Sequence, residues 1–163
     1  MASVTPVYRI APAVALLAMA CAYSFKGSLP GHLETVEILH FRSSVAEYGL
    51  DTDLANMVTE AIVTDGRLSV TTSDPDSRIS GRVTGFTRTA EEYTGGEQVQ
   101  RYRLDLRVEI TMEDVRSGEA LIRNETVGKW ILYDPASETL AAARDRLVAE
   151  TAREIVQRCL SGW

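Results

Sequence analysis

The chain has 163 residues, of which 45% are hydrophobic and 25% are charged, a composition typical of one globular domain with a substantial core. Its net charge of −6 argues against a general nucleic-acid binder, because such proteins carry a basic balance. The two histidines, His32 and His40, and the two cysteines, Cys21 and Cys159, lack the spacing of a zinc site, so we expect no metal or other cofactor.

The N-terminal segment has the organisation of a signal peptide. A single arginine is followed by an apolar run, Ile10–Ala20, of about eleven residues. The run is shorter than the roughly 20 residues of a bilayer span but fits the hydrophobic region of a signal peptide. Ala20 is the small residue expected before a lipoprotein cysteine, although the usual leucine, Leu17, stands one position early. We predict a lipoprotein signal peptide over residues 1–20 and lipidation of Cys21.

Two other interpretations of this segment follow from the residues. Export without acylation would favour a disulfide between Cys21 and Cys159 in an oxidising compartment. A buried N-terminal helix is less favoured, because Pro12 interrupts the run and no polar face exists to meet water. With lipidation, Ala22 after the cysteine favours the outer membrane by analogy with bacterial lipoprotein sorting, and several acyl chains give a stable anchor.

The mature chain begins with a turn-rich segment. Residues 21–34 suit a tether between an acylated cysteine and a domain. Residues 35–163 are predicted to form a single α+β periplasmic domain, whose first strand is TVEILHF at residues 35–41. The expected core residues of this strand are Val36, Ile38 and Leu39.

The stretch from Leu50 to Gly66 has the apolar periodicity of an amphipathic helix. Asp51, Thr52 or Asp53 can cap its start, and Gly66 stands where a C-terminal glycine cap belongs. The predicted apolar stripe consists of Leu50, Leu54, Met57, Val58, Ala61 and Ile62.

A short strand at residues 67–72 and a three-stranded meander follow this helix. The segment VQRYRLDLRVEITMED alternates apolar and polar residues, which is typical of a strand buried on one face. The strand before it, RISGRVTGFTRTAEEY, is expected to carry Gly81 and Gly85 on one face, which suggests close approach by a helix or a bend. A turn at Gly95–Gly96 and the turn DVRSGE connect the meander, which ends with ALIRNETVGKWILY.

The chain ends with a long helix that Asp134 and Pro135 are predicted to start. The two helices are expected to pack on one face of a mixed, mostly antiparallel four- to five-stranded sheet, which is an α+β fold. The first two strands flank a helix and are predicted to be parallel neighbours. The expected inward stripe of the last helix is Leu140, Leu147, Val148, Thr151, Ile155 and Cys159.

The sequence has no recognisable enzyme motif. It contains no phosphate-binding glycine motif, and neither histidine lies in a nucleophile motif. The carboxylates fall on predicted solvent faces, where ion pairing explains them. We therefore expect a non-enzymatic protein without catalytic residues.

Several arginines are candidates for an anionic ligand. Guanidinium groups bind phosphate in bidentate fashion, so a phosphorylated glycolipid is a suitable ligand. Ion pairs with Asp105 and Glu109 explain the same arginines equally well. Tyr93 and Trp130 are candidate partner-interface residues. If the first two meander strands pair across Gly95–Gly96, one exposed sheet face carries Arg82, Arg88, Arg101, Arg103 and Arg107.

Four runs together form a familiar pattern. CAYSFKGSLPGHLETVEILHF places a cysteine, an aromatic-containing leader and Leu-Pro before the first strand, and Gly49-Leu50 then starts a helix. DGRLSV, ISGRVTGF and YRLDLRVEITMEDVRSGEAL continue the pattern. Over essentially all of the mature chain, these runs resemble the LPS-assembly lipoproteins of the LptE family.

The resemblance implies a lipid-anchored protein on the periplasmic face of the outer membrane. It implies a role in lipopolysaccharide transport and assembly as the plug of an outer-membrane β-barrel translocon of the LptD-like kind, with lipopolysaccharide as a ligand. Such a role needs no catalytic residue. An alternative function is that of a periplasmic accessory lipoprotein that activates a cell-wall synthase or a secretion pore.

Overall fold

The computed structural model describes residues 29–93 and 99–161, except the side chains of residues 92, 93 and 99. The predicted signal peptide, Cys21 and the Gly95–Gly96 turn lie outside the described residues. The helices are α1 (Leu50–Asp65) and α2 (Leu140–Ser161). The strands are β1 (Thr35–Ile38), β2 (Arg42–Ser43), β3 (Ser69–Val70), β4 (Ser77–Tyr93), β5 (Val99–Asp114) and β6 (Ala120–Tyr133).

The strands form one mixed sheet in the order β3-β1-β4-β5-β6, and β2 also pairs with β4. β1 is parallel to β3, as predicted for the two strands that flank a helix, and it is also parallel to β4. β4, β5 and β6 form the predicted antiparallel meander. Both helices of the described residues pack on one face of the sheet and on each other. The α+β prediction is therefore confirmed, and the described residues form six strands where four to five were predicted.

The core lies between this sheet and the two helices. The predicted alternation of β5 is confirmed, since its even-numbered residues from Leu104 to Met112 are at most 1% exposed. α1 buries Leu50, Leu54, Val58 and Ile62, which is most of its predicted stripe. In α2, Cys159 is buried, and burial raises the pKa of its thiol to about 12.

Two details near the first helix differ from prediction. Leu39 is 37% exposed because β1 ends at Ile38, and Phe41 occupies the core instead. The N-cap of α1 is Gly49 with φ 75°, so the three residues expected to cap it lie inside the first turn. The C-terminal prediction is confirmed, because Gly66 has φ 76° and its N–H donates to the Ile62 carbonyl.

The start of the second helix is also displaced. Asp134 accepts a hydrogen bond from the Ala136 N–H. This bond stabilises a turn before the helix and does not cap the helix itself. The helix begins at Leu140, and the Thr139 hydroxyl oxygen accepts the Ala142 N–H at 3.2 Å as its cap. Leu140 is consequently 43% exposed at the first turn instead of inside the predicted stripe.

Gly81 permits a close aromatic contact that positions the start of the sheet. A Cβ atom at residue 81 would lie 2.4 Å from Cε2 of Phe41, whose side chain is completely buried. The residue that approaches Gly81 closely is therefore a phenylalanine, not the helix or bend that the sequence suggested. The Phe41 ring occupies the space that a side chain at residue 81 would fill.

We predict that Gly81→Ala destabilises the protein by about 1–3 kcal/mol, because the buried Phe41 ring must shift to accommodate the new methyl group. Urea unfolding of the full chain measures this loss. Gly128→Ala is the control, since its Cβ would meet nothing nearer than 3.9 Å. Equal free energies of unfolding for Gly81→Ala and the wild type would contradict the packing argument.

Candidate functional site: the outer face of the sheet

The face of the sheet opposite α1 and α2, here called the outer face, carries the candidate arginines. Directly paired residues of antiparallel strands share a face, so β5 assigns each row of the sheet to one side. The odd-numbered residues of β5 from Arg101 to Glu113 are all polar or charged and project outward. Arg101, Arg103 and Arg107 therefore lie on the outer face, as predicted.

A β-bulge in β4 changes the predicted arginine set. The register shifts between Val83, which pairs with Val108, and Gly85, which pairs with Arg107. One extra residue reverses the alternation of the strand beyond it. Gly85 therefore lies on the outer face while Gly81 faces the core, and the prediction that they share one face was wrong.

The same bulge separates Arg82 from Arg88. Arg82 pairs with Glu109 on the outer face, whereas Arg88 pairs with Leu104 on the helix-covered side. The prediction of five arginines on one face was therefore wrong for Arg88, since regular alternation does not pass through a bulge.

Arg88 instead completes an aromatic cluster at the far end of the meander. Its guanidinium carbon lies 3.6 Å from the centroid of the Tyr102 ring and 5.6 Å from that of Tyr133. The two tyrosine rings stack with centroids 5.6 Å apart. A cation over two aromatic faces is a packing arrangement, which gives Arg88 a structural role.

Arg103 and Trp130 form a second cluster on the outer face. Arg103 Nη2 lies 2.9 Å from Asp105 Oδ1, and this hydrogen bond raises the pKa of the guanidinium. The guanidinium carbon also lies 4.5 Å from the centroid of the Trp130 ring. Trp130 is 53% exposed, so this indole remains available to a partner. The side chain of Tyr93, the other predicted interface residue, lies outside the described residues.

Arg82 and Arg107 have a different environment. Among the described residues, no carboxylate forms an ion pair with either guanidinium, although Glu109 is the backbone partner of Arg82. Arg107 lies in a row between Gly85 of β4 and Gly128 of β6. The outer face thus combines neutralised arginines at one end with unneutralised ones near its centre.

A groove of about 600 Å³ crosses the outer face beside Arg82. Arg42 and Ser80 line it together with Glu109 and Asn124. Arg42 is the backbone partner of Arg82, which places two guanidinium groups on adjacent strands. Sequence reasoning missed Arg42, because β2 has only two residues and gives no periodic signal.

His32 joins the start of the domain to the turn between β5 and β6. Its Nε2 lies 2.7 Å from Oδ2 of Asp114, which is 5% exposed. This hydrogen bond, with those from the Ser117 and Arg116 N–H groups, lowers the pKa of Asp114 to about 2. His32, to which the sequence analysis assigns no role, is thus one of the residues that hold the tether to the sheet.

Asp76 makes a second junction at the same end of the sheet. Its Oδ2 accepts hydrogen bonds from the Glu34 N–H, the Thr35 N–H and the Thr35 hydroxyl at 3.1, 3.0 and 2.8 Å. These bonds lower the pKa of Asp76, with the Thr35 hydroxyl as the largest cause. His40 lies elsewhere, 3.9 Å from Asp51 at the start of α1.

Comparison with known proteins places this fold in a family. Residues 33–160 match the family model described as lipopolysaccharide-assembly LptE. The chain belongs to the LptE family. LptE proteins are non-enzymatic lipoproteins of lipopolysaccharide assembly, which confirms the prediction that this chain is not an enzyme. Its role lies in lipopolysaccharide assembly. A search of curated proteins returned no match.

Solved structures share the fold at low identity. The hypothetical protein CT253 from Chlamydia trachomatis has a TM-score of 0.58 and 10% identity, covering 77% of this chain and 95% of its own. Lipoprotein B from Nitrosomonas europaea has a TM-score of 0.53 and 14% identity, covering 82% and 89%. A minor lipoprotein from Acinetobacter baumannii has a TM-score of 0.51 and 15% identity, covering 78% and 92%. These likenesses concern the fold alone.

Within residues 29–93 and 99–161, no helix combines the length and apolarity needed to cross a bilayer.

We predict that Asp114→Asn lowers the melting temperature near neutral pH, because the ionised carboxylate accepts hydrogen bonds that an amide cannot all replace. The folded-state pKa of about 2 lies below the ordinary 3.8, so this stabilisation is complete above about pH 4 and fades as pH falls through 2. Melting curves at several pH values test this. The difference from wild type should shrink on acidification, whereas a constant difference, or an equal effect of the exposed control Glu119→Gln, would contradict it.

Proposed function

We propose that this chain is an outer-membrane lipoprotein, anchored on the periplasmic face through lipidated Cys21, that assists lipopolysaccharide transport as the plug of a β-barrel translocon. The observation that carries the proposal is the outer face. The sixteen residues of β5 extend over roughly 50 Å, and each outward side chain from Arg101 to Glu113 is polar or charged. A long polar face on a rigid domain suits a hydrated barrel lumen.

The tether junction supports anchoring at one end of the domain. His32 and Thr35 are held by Asp114 and Asp76, which fixes the start of the domain to the end of the sheet at the β5–β6 turn. The twelve residues from Cys21 to His32 span at most roughly 40 Å when extended. An anchor at Cys21 therefore keeps the β5–β6 turn within this distance of the membrane surface.

The outer arginines support contact with an anionic glycolipid. Arg82, Arg101 and Arg107 project from this face beside Arg103. Guanidinium groups pair with phosphates through two parallel hydrogen bonds, and lipopolysaccharide carries phosphates. Arg88 is left out of this proposal, because it faces the helix side of the sheet.

The first test is isolation of the native complex. We expect the full chain, extracted in detergent from the outer membrane, to co-purify with one large β-barrel protein, and its mature N-terminus to be an acylated Cys21 by mass spectrometry. The matched variant Cys21→Ala should lose the acyl mass and leave the membrane fraction. Recovery of a peptidoglycan synthase or a secretion pore in place of the barrel would support the accessory-lipoprotein alternative and contradict the plug.

The second test concerns the glycolipid. Arg101→Glu with Arg103→Glu should weaken binding of purified lipopolysaccharide by about tenfold or more, since each lost charge-assisted hydrogen bond costs about 1.5 kcal/mol or more. Arg116→Glu with Arg123→Glu makes the same charge change near the opposite end of the sheet and serves as control. Binding by fluorescence titration measures both. Unchanged affinity in the first pair, or equal losses in both pairs, would contradict a local binding face.

A further inference from the structure

The centre of the outer face contains a gap in its side chains. Arg107 of β5 has Gly85 of β4 as its partner on one side and Gly128 of β6 on the other. The row across three strands therefore carries one side chain flanked by two bare backbones. We call these three residues the Arg107 trough.

Folding does not require these two glycines. Neither has a left-handed φ, in contrast to Gly49 and Gly66. A Cβ atom at residue 85 would lie 3.6 Å from Arg107 Cβ, and one at residue 128 would lie 3.9 Å from Arg107 Cγ, which are ordinary contacts. Glycine inside a strand destabilises it by about 0.5–1 kcal/mol relative to alanine. The bulge beside Gly85 is one local reason for glycine there, but neither position needs glycine for its φ or for space, so the bare row leaves room for close approach by another molecule.

The charge of the trough identifies the approaching group. Arg107 is exposed and, within the described residues, forms no ion pair. Two other outer-face arginines are neutralised, since Arg103 pairs with Asp105 and Arg78 Nε lies 2.7 Å from Glu37 Oε2, whereas Arg82, like Arg107, has no ion pair among the described residues. A guanidinium with cleared space on both sides fits a carboxylate, which it binds in bidentate geometry.

Trp130 lies beside the Arg107 trough and adds an exposed aromatic surface to it. It belongs to the next outer row, opposite Asp105, and is therefore the diagonal neighbour of Arg107 on β6. Its exposed ring is held against the guanidinium of Arg103. Tryptophan and arginine are the residues that most often dominate binding energy at protein interfaces.

The surroundings favour a protein carboxylate over a lipid phosphate. Asp105 and Glu109 flank Arg107 on the same face of β5, two residues away on each side. Both carboxylates would repel an anion bound to Arg107, and the repulsion is about twice as strong for a doubly charged phosphate as for a single carboxylate. The gap is one residue wide, which suits one side chain projecting from a flat wall.

We propose that an acidic side chain on the inner wall of the barrel partner enters the Arg107 trough and pairs with Arg107, with Trp130 packing on the same wall. This inference rests on the proposed plug function and assigns the contact that holds the plug. It withdraws Arg107 from the glycolipid contact proposed above, assigns it to a protein partner, and leaves Arg82, Arg101 and Arg103 for the glycolipid.

The test fills the trough in the full, lipidated chain, expressed in its own outer membrane. Gly85→Thr and Gly128→Thr add a strand-favouring side chain where the geometry has room, and Arg107→Glu reverses the charge. Each should reduce the amount of co-purified barrel by about tenfold or more. The glycine variants should melt at or above the wild-type temperature, so they remain informative if Arg107→Glu folds poorly. Ala120→Thr and Arg123→Glu repeat the two kinds of change on β6 and should leave recovery unchanged.

The outcomes separate this inference from the plug proposal. A wild-type chain that recovers no barrel overturns the plug function and this contact with it. A wild-type complex that survives all three trough substitutions overturns the contact alone. Loss of lipopolysaccharide binding with full barrel recovery would assign the trough to the lipid and also overturn the proposal. Loss of barrel with lipopolysaccharide binding retained supports it.

Discussion

The pairing of β5 with β4 on one side and β6 on the other is the constraint on which the rest of this structure depends. Along nearly the whole length of β5, the pairing register determines which residues of β4 and β6 face the helices and which face outward. Its even-numbered apolar residues require the cover of α1 and α2, and its odd-numbered residues remain for contact with other molecules. The core and the candidate site are therefore two sides of one strand.

Regular alternation made much of the fold predictable. β5 and α1 are long enough for their periods of 2 and 3.6 to appear clearly in the sequence, and the structure agrees with both. The face of Arg88 was not predictable in this way, because it depends on the bulge between Val83 and Gly85. Which residue is left unpaired depends on the register with β5, and the composition of the segment gives no local sign of it.

Contacts between distant residues were equally inaccessible. His32 and Asp114 are separated by 82 positions, and only the pairing of the strands brings the tether to the β5–β6 turn. Arg42 reaches the groove through a two-residue strand that pairs with β4. The start of α2 was mispredicted because Asp134 and Thr139 are both suitable N-cap residues. Asp134 accepts a hydrogen bond within the preceding turn, and Thr139 caps the helix. The sequence indicated the class of every described element except the two-residue β2, whereas strand pairing determined which residues share the candidate site.

The two faces of the sheet differ in how many of their charged and aromatic side chains have partners within the folded domain. On the helix-covered face, Lys129 and Glu125 of β6 pair with Glu154 and Arg158 of α2, and Arg88 packs on the Tyr102 ring. The outer face instead keeps two bare glycine positions, an unneutralised Arg107 and an exposed Trp130. Features that lower the stability of the isolated domain accumulate where a partner can compensate for them. In a non-enzymatic protein of lipopolysaccharide assembly, function consists of such contacts, and the outer face is the surface that we propose for them.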